Sequence, residues 1–127
     1  MKFGYTILYV PNVDEALTFY QQAFGFKRKM LHGSGGYGEL ESGETTLGFA
    51  DFAGMKELGK NPIAAKANAP SFELAFTTDN VAEAVEAAVA AGAKLVSEPA
   101  DMPWGQTIAY VADINGFLVE LCTPIQP

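Results

Sequence analysis

The sequence predicts an α+β fold of two β-α-β-β-β modules within 127 residues. Three observations predict it. A segment near the start recurs once, each copy opens with a strand signal that runs into a helix signal, and glycines cut the chain after each helix into three short strands. In the recurring segment Asn12 maps on Asn80, Val13 on Val81, Glu15 on Glu83 and Ala16 on Ala84, each 68 residues on. Gly25 maps on Gly92 with an offset of 67.

The first strand is expected over Phe3 to Val10 and its counterpart over Phe72 to Thr78, both rich in β-branched and aromatic residues. Each runs into an asparagine that suits a helix N-cap, Asn12 and Asn80. Val13, Ala16, Leu17, Tyr20 and Phe24 then recur at helical spacing, as do Val81, Ala84, Val85, Ala88 and Val89. Asp14, Glu15 and Glu83 place carboxylates in the first turns, where they complement the helix dipole. Gly25 and Gly92 stop the helices.

Three strands are expected after the first helix, near Lys27–Leu31, Gly36–Leu40 and Thr45–Ala50. Their turns are Gly33 to Gly36 and Ser42-Gly43. After the second helix the strands are expected near Lys94–Ser97, Thr107–Val111 and Phe117–Cys122, with Asn115-Gly116 marking the last hairpin. The stretch from Asp51 to Pro70, with Gly54, Gly59, Pro62 and Pro70, reads as a linker with one helical turn at Met55–Leu58. One domain is expected, with module 1 over about 1–51, the linker over 52–70 and module 2 over 71–127.

The charge is acidic: 8 Lys and Arg against 15 Asp and Glu give −7. That argues against a nucleic-acid binder, which needs a basic stripe, and against an anionic-membrane binder. No apolar run is long enough to span a bilayer, and no targeting stretch follows Met1-Lys2. With one unpaired cysteine, Cys122, a cytoplasmic location is expected. One histidine, His32, cannot build a multi-histidine metal site. Dinucleotide, phosphate-loop and serine-hydrolase motifs are absent.

The segment Asn12 to Phe26, with its Phe19-Tyr20 pair and its Phe24-Gly25-Phe26 exit, resembles the first helix of the vicinal oxygen chelate superfamily. Asn80 to Pro99 resembles that family's second helix, and Asp113 to Leu121 its terminal hairpin. The family includes glyoxalase I, extradiol dioxygenases, fosfomycin-resistance enzymes and bleomycin-resistance proteins. The resemblance implies curled mixed sheets that form a cleft, and a homodimer in which modules of two chains pair. An edge strand and an apolar face left open by a half-closed sheet fit such pairing.

In metal-dependent members four ligands line the cleft, two on the first strands and two on the last. The matching positions here are Tyr5, Glu73, Gly48 and Glu120. Half of that set lacks a good ligand, because Gly48 has no side chain and a phenol with a pKa near 10 binds metal poorly. Trp104, in Met102 to Gln106, resembles the aromatic that covers the ligand in non-metal, bleomycin-resistance-like relatives. Tyr37 and Tyr110 on middle strands suit flat walls with polar tips. Phe49, Phe52 and Met55 are expected to cap the pocket.

The reading is a small-molecule-binding protein without a cofactor. Tyr5, Gly48, Glu73, Trp104, Tyr110 and Glu120 form the site, and no catalytic residue is assigned. The alternative is a divalent-metal-dependent lyase, isomerase or dioxygenase that uses Glu73 and Glu120 as ligands or as bases. In a plain structural role, Glu120 would hydrogen-bond Tyr5 and Glu73 would face solvent.

Overall fold

The computed structural model describes residues 1–125. It divides into two compact units, Met1–Ala64 and Ala65–Pro127. The first contains β1 (Tyr5–Val10), α1 (Val13–Phe24), β2 (Lys27–Leu31), β3 (Tyr37–Glu41), β4 (Thr46–Asp51) and α2 (Phe52–Glu57). The second contains β5 (Glu73–Thr77), α3 (Val81–Ala90), β6 (Lys94–Asp101), β7 (Thr107–Ala112) and β8 (Leu118–Cys122). Each unit builds a four-stranded mixed sheet, in the orders β1-β4-β3-β2 and β5-β8-β7-β6.

The order follows from connection lengths. Short turns make β2-β3-β4 and β6-β7-β8 antiparallel meanders. The helix carries the chain from the first strand to the far edge, so the meander returns with its last strand parallel to the first. The registers also show the repeat in three dimensions. Ile7 faces Gly48 in one sheet, and in the other Ala75, 68 residues on, faces Glu120, 72 residues on. Gly48 and Glu120 therefore hold equivalent places.

Helix α1 begins where expected, because the Asn12 side chain accepts from the Glu15 amide at 2.9 Å. It ends at Gly25, which is left-handed with φ 77°. Its buried side includes Val13, Ala16, Leu17, Tyr20 and Ala23. These pack against Leu8, Val10, Leu40, Leu47 and Phe49 from the sheet. Tyr20 and Phe49 meet edge to face with ring centres 5.0 Å apart. Arg28 on β2 ties the helix down, reaching Asp14 at 2.7 Å, Thr18 at 3.1 Å and Gln21 at 3.1 Å. Helix α3 repeats the cap, with Asn80 accepting from the Glu83 amide at 3.1 Å.

Three features differ from the sequence reading. Strand β6 runs on to Asp101, past Pro99. It is the outermost strand, where a missing N–H leaves no ladder bond unmade. Helix α2 begins at Phe52 because the Asp51 carboxylate caps it, accepting from the Gly54 amide at 2.8 Å. Phe49 does not cap a pocket: it is fully buried in the core, on the strand face opposite its neighbour Gly48. Among the described residues no helix is long and apolar enough to cross a membrane.

Candidate functional site

Each sheet has one face covered by its helix, and strand alternation puts the candidate residues on the other. In the first unit Tyr5 and Ile7 stand on that face, 64% and 42% exposed. Gly48 lies beside Ile7 in the ladder, and Glu39 lies beside Gly48 from the other side. The Tyr37 hydroxyl donates to the Glu39 carboxylate at 2.7 Å. Lys29 Nζ sits 3.6 Å from the other Glu39 oxygen. The absence of a side chain at Gly48 is what admits this pair: a Cβ there would lie 2.7 Å from Tyr37 Oη. Nearer the end of β1, Lys60 donates to the Tyr9 hydroxyl at 3.0 Å.

In the second unit the corresponding face carries Glu73 and Ala75 from β5, Glu120 from β8 and Tyr110 from β7. Tyr110 and Glu120 are ladder partners, and the phenol donates to the carboxylate at 2.8 Å. Within its own unit Glu120 thus accepts from Tyr110. Partial loss of hydration first, and then the Glu120 charge, raise the exposed Glu73 carboxyl above its ordinary value. Cys122, next on the same face of β8, is buried, and burial first and Glu120 second push its thiol up to about 11. Trp104 stands on the β6–β7 turn, 64% exposed. Its indole N–H donates to Gln106 at 2.8 Å, and Gln106 donates to the Thr123 carbonyl at 2.8 Å.

Glu39 is not singled out by the sequence reading. The signal is present as an alternation, Tyr37-x-Glu39 with Gly38 and Leu40 between and after. Gly38 and Leu40 are buried toward α1, so Tyr37 and Glu39 share the other face. Each unit therefore carries one tyrosine–glutamate pair on the face its helix leaves uncovered. The carboxylate comes from the third strand in the first unit and from the last strand in the second.

Both phenols are held in their protonated form. Tyr37 is pushed up to about 12, by burial first and then by its bond to Glu39. Tyr110 is pushed up to about 12, by its bond to Glu120 first and then by burial. The folded chain holds these protons more tightly than the unfolded chain, whose tyrosines titrate near 10. The resulting stability is complete below pH about 10 and is lost as pH rises toward about 12. Absorbance at 295 nm is expected to show the Tyr37 and Tyr110 phenols titrating late, a component that shrinks in Tyr37→Phe and in Tyr110→Phe. Glu120→Gln should lower the Tyr110 midpoint more than Glu39→Gln lowers that of Tyr37, since burial dominates at Tyr37. No change in the late component on replacing Tyr37 or Tyr110 would contradict the pairing.

The donor set fits a metal poorly on chemical grounds. Gly48 supplies no atom, and the space above it holds the Tyr37 phenol. Glu120 already accepts from Tyr110. His32 lies in the β2–β3 turn, where its Nδ1 pairs with Ser34 Oγ at 2.8 Å. Among the described residues no three His, Cys, Asp or Glu side chains gather so as to hold a metal ion.

Residues 2–121 match the family model for the Glyoxalase/Bleomycin resistance protein/Dioxygenase superfamily. Among solved structures, the chain is similar to a glyoxalase/bleomycin resistance protein/dioxygenase family enzyme from Burkholderia phytofirmans PsJN. The identity is 21%, covering 99% of this chain and 100% of that one, with a TM-score of 0.82. A glyoxalase-related enzyme from Fulvimarina pelagi is 20% identical over 98% of this chain and 88% of its own, with a TM-score of 0.84. TioX from Micromonospora sp. ML1 is 22% identical over 97% of this chain and 98% of its own, with a TM-score of 0.69. No curated protein matches the sequence.

Proposed function

The chain belongs to the Glyoxalase/Bleomycin resistance protein/Dioxygenase superfamily, and from that premise we propose that it is a binding protein for a small, partly aromatic cation. The observation that carries this reading is the pair of tyrosine–glutamate hydrogen bonds, one on each sheet. Both phenols spend their proton on a carboxylate. What they offer a ligand is π-surface and oxygen lone pairs, next to negative charge from Glu39, Glu73 and Glu120. A ligand that brings positive charge, N–H donors and an aromatic ring matches such a surface. The net charge of −7 draws cations in at long range. Tyr5 and Ile7 supply apolar contact beside Gly48.

The first unit's face supports a homodimer. Phe3, Tyr5 and Ile7 are exposed at 75%, 64% and 42%, more apolar surface than a lone chain usually leaves on a strand face and its approach. A second copy that covers part of this surface would also enclose the ligand. The proposed activity uses no resident metal, because the four family ligand positions supply two carboxylates, one phenol and one bare backbone.

The test is a thermal-shift panel of aromatic ammonium and guanidinium compounds set against neutral isosteres. The cations are expected to raise the melting temperature of the wild type, and Glu120→Gln to lose most of that rise. Neutral isosteres acting as well as the cations would overturn the ligand class. Metal analysis separates the enzyme reading. A stoichiometric divalent ion that survives purification and is lost in Glu120→Gln would favour a metal-dependent lyase, isomerase or dioxygenase. Sizing chromatography should give about twice the 13.5 kDa chain mass; elution as a monomer would remove the dimer.

A further inference from the structure

A groove of about 530 Å³ opens in the second unit, away from the tyrosine–glutamate pair, and no part of the proposed binding activity uses it. Its walls are the start of β6, the β7–β8 turn and the segment around Ala67 and Asn68. The volume lies in the usual range for small-molecule sites. Leu95, Val96 and Ile114 line it, and all three are solvent-exposed, at 45%, 50% and 37%. Three exposed aliphatic side chains gathered at one concavity form an apolar wall with nothing yet against it.

The groove is built into the fold. Gly116 is left-handed with φ 89°, and a Cβ there would stand 2.3 Å from the Ala65 carbonyl oxygen, so the hairpin and the 65–69 segment press directly together. A turn closed from the Ala69 amide to the Lys66 carbonyl at 3.0 Å presents Ala67 and Asn68 to the groove. Two charged residues line the groove. Asp113 is only 5% exposed, and one of its oxygens accepts from the Asn115 and Phe117 amides at 2.8 Å each. That carboxylate serves the hairpin. Lys94 is exposed and has no ion-pair partner among the described residues.

We propose that this groove is a second binding site, and that it takes a small amphipathic anion. The apolar body of the ligand lies on Leu95, Val96 and Ile114, and its carboxylate or sulfonate meets Lys94. A strand from another protein is the weaker occupant. The outer edge of β6 carries Pro99, Glu98 and Asp101, and its pairing to β7 shifts register twice, which are devices that repel an added strand. This inference does not depend on what the tyrosine–glutamate faces bind.

The test is an NMR titration of the ¹⁵N-labelled full chain with 1-anilinonaphthalene-8-sulfonate, an aromatic body with one sulfonate. Amide shifts are expected at Gly92, Val96, Ile114 and Gly116, saturating at one probe per chain. Lys94→Gln should weaken binding about 3–5-fold, the size of an exposed charge pair, while Lys94→Arg keeps it. Val96→Glu should remove binding. Spectra of the three free variants test that each remains folded. The uncharged analogue N-phenyl-1-naphthylamine should bind wild type and Lys94→Gln equally. Equal affinity of the sulfonate for wild type and Lys94→Gln would overturn the proposal. So would shifts centred on Tyr110 and Glu120, or shifts of the groove amides that follow protein concentration without probe, which would mark a second copy as the occupant.

Discussion

Phe49→Ala is expected to destabilise the fold by about 3–5 kcal/mol. Phe49 is fully buried in the middle of β4, and Tyr20 of α1, also fully buried, stands against it at 5.0 Å. Tyr20 in turn meets Phe19 at 5.6 Å and Phe24 at 5.1 Å, so one ring deletion unseats a cluster. The loss has two parts, the transfer term for the ring and the cavity it leaves. A helix capped at both ends and tied by Arg28 has little freedom to sink into that gap. Phe49→Leu keeps most of the volume and should cost less than half as much. Chemical denaturation followed by far-UV circular dichroism measures both. A loss near 1 kcal/mol for the alanine variant would mean that the cluster collapses around the hole, and that packing here is looser than the geometry implies. The consequence reaches the site, because Gly48 and Phe49 are consecutive on one strand. A shift of β4 toward α1 would move the bare backbone on which Tyr37 rests.

Gly116→Ala is expected to cost roughly 2–4 kcal/mol, from two sources. The left-handed backbone at φ 89° disfavours any side chain, by about 1–2 kcal/mol. The added Cβ also has no room, with the Ala65 carbonyl oxygen 2.3 Å away and its carbon 3.0 Å away. These are backbone atoms, so relief requires the 65–69 segment to lift. Gly105→Ala separates the two terms within the same unit. Gly105 has φ 103°, and a Cβ there would meet nothing within 4 Å, so it carries the conformational cost alone. Denaturation midpoints should fall further for Gly116→Ala than for Gly105→Ala. Equal losses would show that the segment yields freely. Trp104 is the single tryptophan of the chain and belongs to this unit, so its fluorescence follows the unit's unfolding in Gly116→Ala.

Much of the fold is legible in the sequence because it is specified locally. Asn12 and Asn80 cap the helices, Gly25 ends the first, and aliphatic spacing gives both helices their buried stripe. Each of those signals is contained in a turn or two of chain. Alternation in β5 likewise puts Glu73 with Ala75 and Thr77, all exposed, and Leu74 with Phe76, less so. Where sequence and structure part, a distant or edge effect decides. Pro99 reads as a strand breaker, yet it is tolerated because no strand lies beyond β6. The early start of α2 depends on the Asp51 side chain turning back to cap it, a contact that apolar spacing does not reveal.

The candidate site divides the same way. By itself the sequence determined the two-module plan, the acidic balance and which residue types stand at the four family ligand positions. Residue identity gives those directly: Tyr5, Gly48, Glu73 and Glu120 occupy the four positions, and the chain has one histidine. Only the tertiary structure decided how the remaining groups are used. It set Tyr110 against Glu120 across a ladder and brought Tyr37 over Gly48 to reach Glu39. The physical reason is that the Tyr110–Glu120 bond between strands depends on register, and the Tyr37–Glu39 bond within β3 depends on the room a neighbouring strand leaves. Register is fixed by which hydrophobic face each strand must bury, and the room for the Tyr37 phenol exists because Gly48 on the neighbouring strand has no side chain. Helix caps are written in adjacent residues, but the partners of a carboxylate are chosen by the packing of the whole sheet.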